Sequence, residues 1–198
     1  SLADSDTPSE NIDNQLEAFH SVADRVELDR SLANSAALLA HSRTHFDWNR
    51  PGLMLYGASP FRDLNPITSL QPAMTLSAPI IAIKQLEAGD SVGYGSLWVA
   101  RKSSLIAVVG IGYGDGYPRE ISDDTQIFVK GSRRGVVGRV SMDMMTIELK
   151  TGDEFSIGDR VELWGQNIPI EEIARCAGTI PYTVMCGVTK RVPRIYTS

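Results

Sequence analysis

Tyr94 stands between two glycines in "VGYGSLW", within a segment that otherwise reads as the start of a β-strand. Glycine weakens a strand unless the backbone must turn sharply or approach something closely. Two readings are therefore open: a packed strand aromatic, or a phenol carried close to a reacting group. A free phenol titrates at about 10 and is a poor base at neutral pH unless positive charge lies beside it. In "ANSAALLA", Asn34 and Ser35 precede a helix-forming run. Unused N–H groups at a helix start, with a hydroxyl beside them, can hold a phosphate, and the same residues also make an ordinary N-cap. Arg50 of "WNRPG" lies in an apolar neighbourhood and must find acceptors, because a guanidinium does not shed its proton. "GIGYGDGYPRE", residues 110–120, lacks the lysine and serine or threonine ending of a nucleotide loop and the glycine register leading into a helix. Its Tyr113, Asp115, Tyr117 and Arg119 fit the lining of a polar cleft, or a solvated turn. In "GRVSMDMMTIEL", strand alternation sends Arg139, Ser141 and Asp143 to one face and Val140 and Met142 to the other. A salt-bridged sheet edge would look the same.

The elements that must position these groups change character along the chain. Residues 1–11 form a polar lead into a helix whose apolar positions Ile12, Leu16, Phe19 and Val22 follow the helical period. A short strand through Leu32, the helix "SAALLA" capped by Asn34 or Ser35, a turn at Arg50–Pro51–Gly52 and an apolar strand from Leu53 to Tyr56 follow. That rhythm belongs to a parallel α/β unit. From Met74 onward, runs rich in Val, Ile and Thr alternate with glycine-bearing turns, as in a β-barrel or sandwich. The Lys130–Arg134 run reads as a hairpin turn. Helices are expected in "PIEEIARCAG" and "TIPYTVMCGV", and a last strand in "KRVPRIYTS".

Composition narrows the function. The chain has 198 residues, 42% hydrophobic and 22% charged, with a net charge of −5. Without a block of basic residues, nucleic acid is not an expected partner. No apolar run approaches the ~20 residues of a membrane span. Cys176 and Cys186 have no metal or redox spacing and read as reduced thiols of a cytoplasmic protein. His41 and His45, four apart, have no carboxylates at ligand spacing, so no metal is expected.

Taken in order, "LANSAALL", "FDWNRPGLMLYG", "VGYGSLW", "GYGDGYPR", "VGRVSMDMM", "LWG" and "IPYTVMCGVTKRVPRIY" resemble the alanine racemase family from about residue 10 to the C-terminus. The resemblance implies the terminal part of an (α/β)8 barrel over residues 1–68 and a mostly β, barrel-like domain over 69–198. It implies a homodimer that interconverts L- and D-alanine with pyridoxal 5'-phosphate (PLP), at a site that the partner's β domain completes. By motif, Asn34, Ser35, Gly52, Leu53 and Tyr182 would hold the cofactor phosphate and Arg50 would meet the pyridine nitrogen. Tyr94 would be the catalytic base on one face of the substrate. The Met142 backbone N–H would bind the substrate carboxylate, and Tyr113, Arg119, Arg139 and Asp143 would line the corridor into the site. Ser141 stands where many members carry cysteine.

One motif of the family has no counterpart. Its PLP-bearing lysine sits in a pattern like "KANAYGHG", and none of Lys84, Lys102, Lys130, Lys150 and Lys190 is followed by it. The resemblance therefore implies the C-terminal portion of such an enzyme, inactive by itself and completed by an N-terminal segment or fragment. A non-catalytic dimerisation module and a racemase of broader amino-acid specificity remain alternatives.

Overall fold

The computed structural model describes residues 2, 10–61, 70–150, 152 and 154–197, so most of the polar lead and the expected 68/69 boundary lie outside the described residues. The chain forms two compact units, residues 1–73 and 74–198.

In the first unit, α1 (Glu10–Ala23) buries Ile12 and Leu16 against Leu32, Ala33 and Ala37, with Phe19 and Phe46 packed beside them. Val22, expected on the same face, is exposed. Helix α2 (Ser35–Ala40) is short and starts at an Asn34 cap whose Oδ1 accepts the Ala37 N–H at 3.0 Å. The expected strand through Leu32 is reduced to one parallel bridge, Ser31 with Trp48. The expected strand Leu53–Tyr56 is a 3-10 turn. Only Leu53 of this run is buried, and Gly57 closes it at φ +77. A Cβ on Gly57 would lie 1.8 Å from the Gln71 carbonyl oxygen, so only glycine fits this bend. A four-residue apolar run carries too little periodicity to tell a strand from a turn of helix.

The second unit is built on a closed, wholly antiparallel six-stranded barrel. Its strands are β1 (Leu76–Leu86), β4 (Ser104–Val109), β5 (Gln126–Val129), β6 (Ser132–Val137), β7 (Met145–Leu149) and β8 (Arg160–Trp164), in the order β1-β4-β7-β6-β5-β8. The two-residue strands β2 (Ser91–Val92) and β3 (Trp98–Val99) form a separate small hairpin. Closure leaves no unpaired edge among the six. A register shift between Ile80 and Ala82 lets the long β1 pair with β8 at its start and β4 at its end. Alternate residues fill the interior, including Ile80, Ile127, Met145, Ile147, Val161 and Leu163. The β5–β6 hairpin turns at Lys130 and Gly131, both at positive φ, where the sequence placed a turn.

Helices α3 (Ile170–Cys176) and α4 (Pro181–Gly187) follow as expected. Arg133 of β6 meets both carboxylate oxygens of Glu172 in the first turn of α3, at 2.8 and 3.1 Å. The expected final strand is not formed, and Ile195 and Tyr196 are exposed. Pro193 removes a ladder donor in this stretch.

Candidate active site

In the first unit the sequence-predicted residues converge. Ser35 is buried at the start of α2, and its Oγ accepts the backbone N–H of Gly52 at 2.9 Å and of Met54 at 3.4 Å. Arg50 donates through its backbone N–H to Ala33 O at 2.9 Å, and through its guanidinium to Ser31 Oγ and to Leu32 O. The WNRPG turn is thereby fastened alongside the segment that leads into α2. Among the described residues, the backbone N–H groups of Ser35, Ala36 and Leu53 reach no acceptor, although all three residues are buried. Buried donors without acceptors are uncommon and call for a partner. The Asn34 carboxamide, by contrast, is engaged with the Ala37 N–H and with Leu2 O, and so works as a cap.

In the second unit Tyr94 does not lie in a strand. It occupies the 3-10 tip Tyr94–Ser96 between β2 and β3, 71% exposed. Gly93 and Gly95 have φ of +76 and +77, which L side chains rarely adopt. A Cβ on Gly93 would lie 3.3 Å from the Arg139 backbone nitrogen, and one on Gly138 would lie 2.9 Å from Val92 O. The tyrosine loop is thus pressed against the Gly138–Arg139 backbone; both flanking glycines serve the turn, and Gly93 alone of the two serves this approach.

Arg139, Ser141 and Asp143 do not alternate along a strand either. Gly138, at φ +70, ends β6, and a turn closed by Ser141 N–H to Met144 O at 2.9 Å carries Met142 and Asp143. The Met142 N–H has no acceptor among the described residues. Loop 112–116 is laced to this turn: the Tyr113 N–H donates to Ser141 O at 3.0 Å, and the Gly114 N–H to Met142 O at 2.8 Å. Asp115 Oδ2 accepts the Gly112 N–H at 2.9 Å. The Arg119 guanidinium sits over the Tyr113 ring, 5.9 Å from its centroid. Tyr182 is partly exposed in the first turn of α4, and the far end of α4 meets this loop, where a Cβ on Gly116 would lie 2.0 Å from Gly187 O.

Arg191 was not singled out from the sequence, yet its guanidinium contacts both Asp115 and Asp143. Nothing local in "TKRVPR" signals this, because its partners lie in two other loops. Tyr117, grouped with the cleft residues from its motif, is instead buried and stacked on Trp164, with ring centroids 6.0 Å apart. No group of metal-ligating side chains occurs among the described residues. No helix among them is long and apolar enough to cross a membrane.

Fold and donor sets define a two-unit protein. One unit is an α-helical segment with buried, unused N–H groups around a serine, and the other is a closed antiparallel barrel bearing a tyrosine-tipped hairpin. The family description "Alanine racemase, N-terminal domain" matches residues 1–60, and "Alanine racemase, C-terminal domain" matches residues 73–196. The chain belongs to the alanine racemase family. It is 51% identical over 184 residues to alanine racemase of Paraburkholderia phytofirmans, covering 92% of this chain and 52% of that protein. It is 50% identical over 181 residues to the Nitrosococcus oceani alanine racemase, covering 91% of this chain and 51% of that one. The crystal structure of biosynthetic alanine racemase from Pseudomonas aeruginosa superposes with a TM-score of 0.93 at 43% identity, over 99% of this chain and 55% of that one. The chain spans about half the length of the curated relatives it matches.

Proposed function

We propose that this chain supplies the phosphate-holding and tyrosine-bearing portion of a PLP-dependent racemase acting on alanine. The observation that carries the reading is the cluster of buried, acceptor-less N–H groups of Ser35, Ala36 and Leu53 around the Ser35 hydroxyl, in a chain of this family. Backbone donors at a helix start, with no basic side chain among them, suit a phosphate dianion. The donor set fits the cofactor.

PLP, when bound, supplies the electron sink that acidifies the α-hydrogen of an amino acid. Ser35, Gly52 and Leu53, beside the Asn34 cap and with the Tyr182 hydroxyl, hold its phosphate in this reading. Arg50, fixed by Ser31 and Leu32, partners the pyridine nitrogen. A guanidinium keeps its own protons and leaves that nitrogen unprotonated, which limits charge delocalisation and side reactions such as transamination. Tyr94 moves the α-proton on one face of the substrate, and a lysine from polypeptide outside these 198 residues serves the other. The Met142 N–H takes the substrate carboxylate, and Tyr113, Arg119, Arg139 and Asp143 line the way in.

The reading includes residues 1–68 as the end of an (α/β)8 barrel, residues 69–198 as the β domain, a homodimer whose second copy presents Tyr94, and a cytoplasmic location. Covalent cofactor attachment falls outside the five lysines of this chain, which is therefore inactive alone.

Tyr94→Phe in the full-length, cofactor-loaded protein tests it. Removing one of two proton-transfer groups lowers racemisation by about 100-fold or more. Both directions fall together, because the equilibrium constant is fixed. Exchange of the α-hydrogen with deuterated solvent persists from one enantiomer and is lost from the other. Racemisation within about twofold of wild type, or equal loss of exchange from both enantiomers, refutes the assignment.

A further inference from the structure

We infer that Arg191 is a positioning residue that holds the Met142 turn in the form able to receive a substrate carboxylate. The inference rests on the reading of Met142 given above.

Arg191 lies beyond α4 and reaches two other segments. Its Nη2 donates to Asp143 Oδ1, inside the 141–144 turn, and its Nε lies 3.2 Å from Asp115 Oδ1. The backbone around it is tied to the same place. The Thr189 N–H donates to Asp115 O at 2.9 Å, Thr189 Oγ1 donates to Gly114 O at 3.1 Å, and the Arg191 N–H donates to Thr189 Oγ1 at 3.3 Å. Asp115 also receives the Gly112 N–H, so one carboxylate closes its own loop and takes the arginine.

There is no slack between the three segments. A Cβ on Gly112 would lie 2.2 Å from Ser141 O, and one on Gly114 would lie 2.3 Å from Arg191 Nη1 and 3.0 Å from Met142 O. The Gly114 N–H donates to the carbonyl of Met142, the residue whose own N–H is left without an acceptor. The carbonyl side of Met142 is therefore gripped by a loop that Arg191 braces, and its neighbour Asp143 is gripped by Arg191 itself.

The residue type matters. A planar guanidinium offers several N–H donors in a fixed fork and can serve two carboxylates at once, whereas an ammonium is a point charge on a flexible stem. With the arginine removed, Asp115 and Asp143 lose their shared cation. The Met142 turn then keeps only backbone hydrogen bonds to hold its form.

The test uses the full-length, cofactor-loaded protein with Arg191→Gln and Arg191→Lys. Readouts are KM and kcat for alanine, the inhibition constant of propionate, and the Met142 amide resonance in protein isotope-labelled at methionine. In Arg191→Gln, KM and the propionate constant rise by about tenfold while kcat stays within about twofold, because a binding geometry and not a proton transfer has been disturbed. Arg191→Lys gives a smaller rise in both. Propionate shifts the Met142 amide in wild type, and ten times more is needed, roughly, for the same shift in Arg191→Gln. A lowered melting midpoint with KM and the propionate constant unchanged, or a loss confined to kcat, overturns the inference. Should Arg191→Gln not fold, wild-type KM and propionate binding in Arg191→Lys overturn it instead. A Met142 amide that propionate leaves unmoved in wild type refutes the Met142 reading itself, whereas one moved equally in wild type and variant refutes only the role of Arg191.

Discussion

Ser35 Oγ accepts the backbone N–H of Gly52 at 2.9 Å, joining the start of α2 to the Leu53–Tyr56 turn across 17 residues of sequence. One hydroxyl thus sets the spacing of two backbone segments that both leave N–H groups without acceptors. Arg50, two residues before Gly52, is held by its own bonds to Ser31, Leu32 and Ala33.

Replacing Ser35 by alanine strands the Gly52 N–H and lets the two segments part. Gly52 is exposed and water can reach it, so the loss is that of an ordinary hydrogen bond, about 0.5–1.5 kcal/mol, and the denaturant midpoint of the protein falls accordingly. At the phosphate site proposed above, PLP affinity of the full-length protein falls with it. A variant that unfolds at the wild-type midpoint and binds PLP equally well contradicts this account of the Ser35–Gly52 bond.

Tyr117 presents the opposite case. Its hydroxyl and the Trp164 Nε1 are buried with no hydrogen-bond partner among the described residues, and burial drives the phenol pKa upward. The ring packs and the oxygen does not. Tyr117→Phe therefore changes stability by less than about 0.5 kcal/mol or increases it, whereas Tyr117→Ala costs about 3–5 kcal/mol. A phenol whose folded pKa is raised contributes stability that is full below its unfolded pKa and lost as pH rises past it. Wild type loses stability above about pH 10 relative to Tyr117→Phe, as urea melts across that range will register.

Asp124 works at the acid end. The Ser122 hydroxyl and then the Arg175 guanidinium, 2.9 Å away, hold its carboxyl down to about 2. A depressed carboxyl contributes stability above its unfolded pKa, and that stability disappears as pH falls through the folded value. Wild type therefore loses more stability than Asp124→Asn between about pH 4 and pH 2. The pair is half exposed, so salt at about 0.5 M narrows the gap between the two proteins. Identical acid profiles would show that this pair has no part in acid stability.

Much of the barrel unit was legible in the chain. β-branched runs between glycine turns marked its strands, Lys130–Gly131 marked a hairpin, and Pro181 with Gly187 framed a helix. Such signals are local and survive in any environment that buries one face. Three readings failed for a common reason. Leu53–Tyr56, the Tyr94 segment and residues 139–143 have strand-like composition, but each is bent by a positive-φ glycine whose close neighbour is distant in sequence. For Gly57 that neighbour is Gln71, for Gly93 it is Arg139, and for Gly138 it is Val92. Composition cannot distinguish a glycine that weakens a strand from one that another backbone requires.

The order and identity of the motifs, from Asn34–Ser35 through Tyr94 to Tyr182, were set by the sequence alone and sufficed to name the family, because residue types carry the chemistry wherever they are placed. Only the tertiary structure decided which groups touch. It gave Ser35 to Gly52, pressed the Tyr94 loop against the Arg139 backbone, withdrew Tyr117 into the core and set Arg191 between Asp115 and Asp143. Those pairings depend on close contact between segments far apart in the chain, and no local preference encodes it.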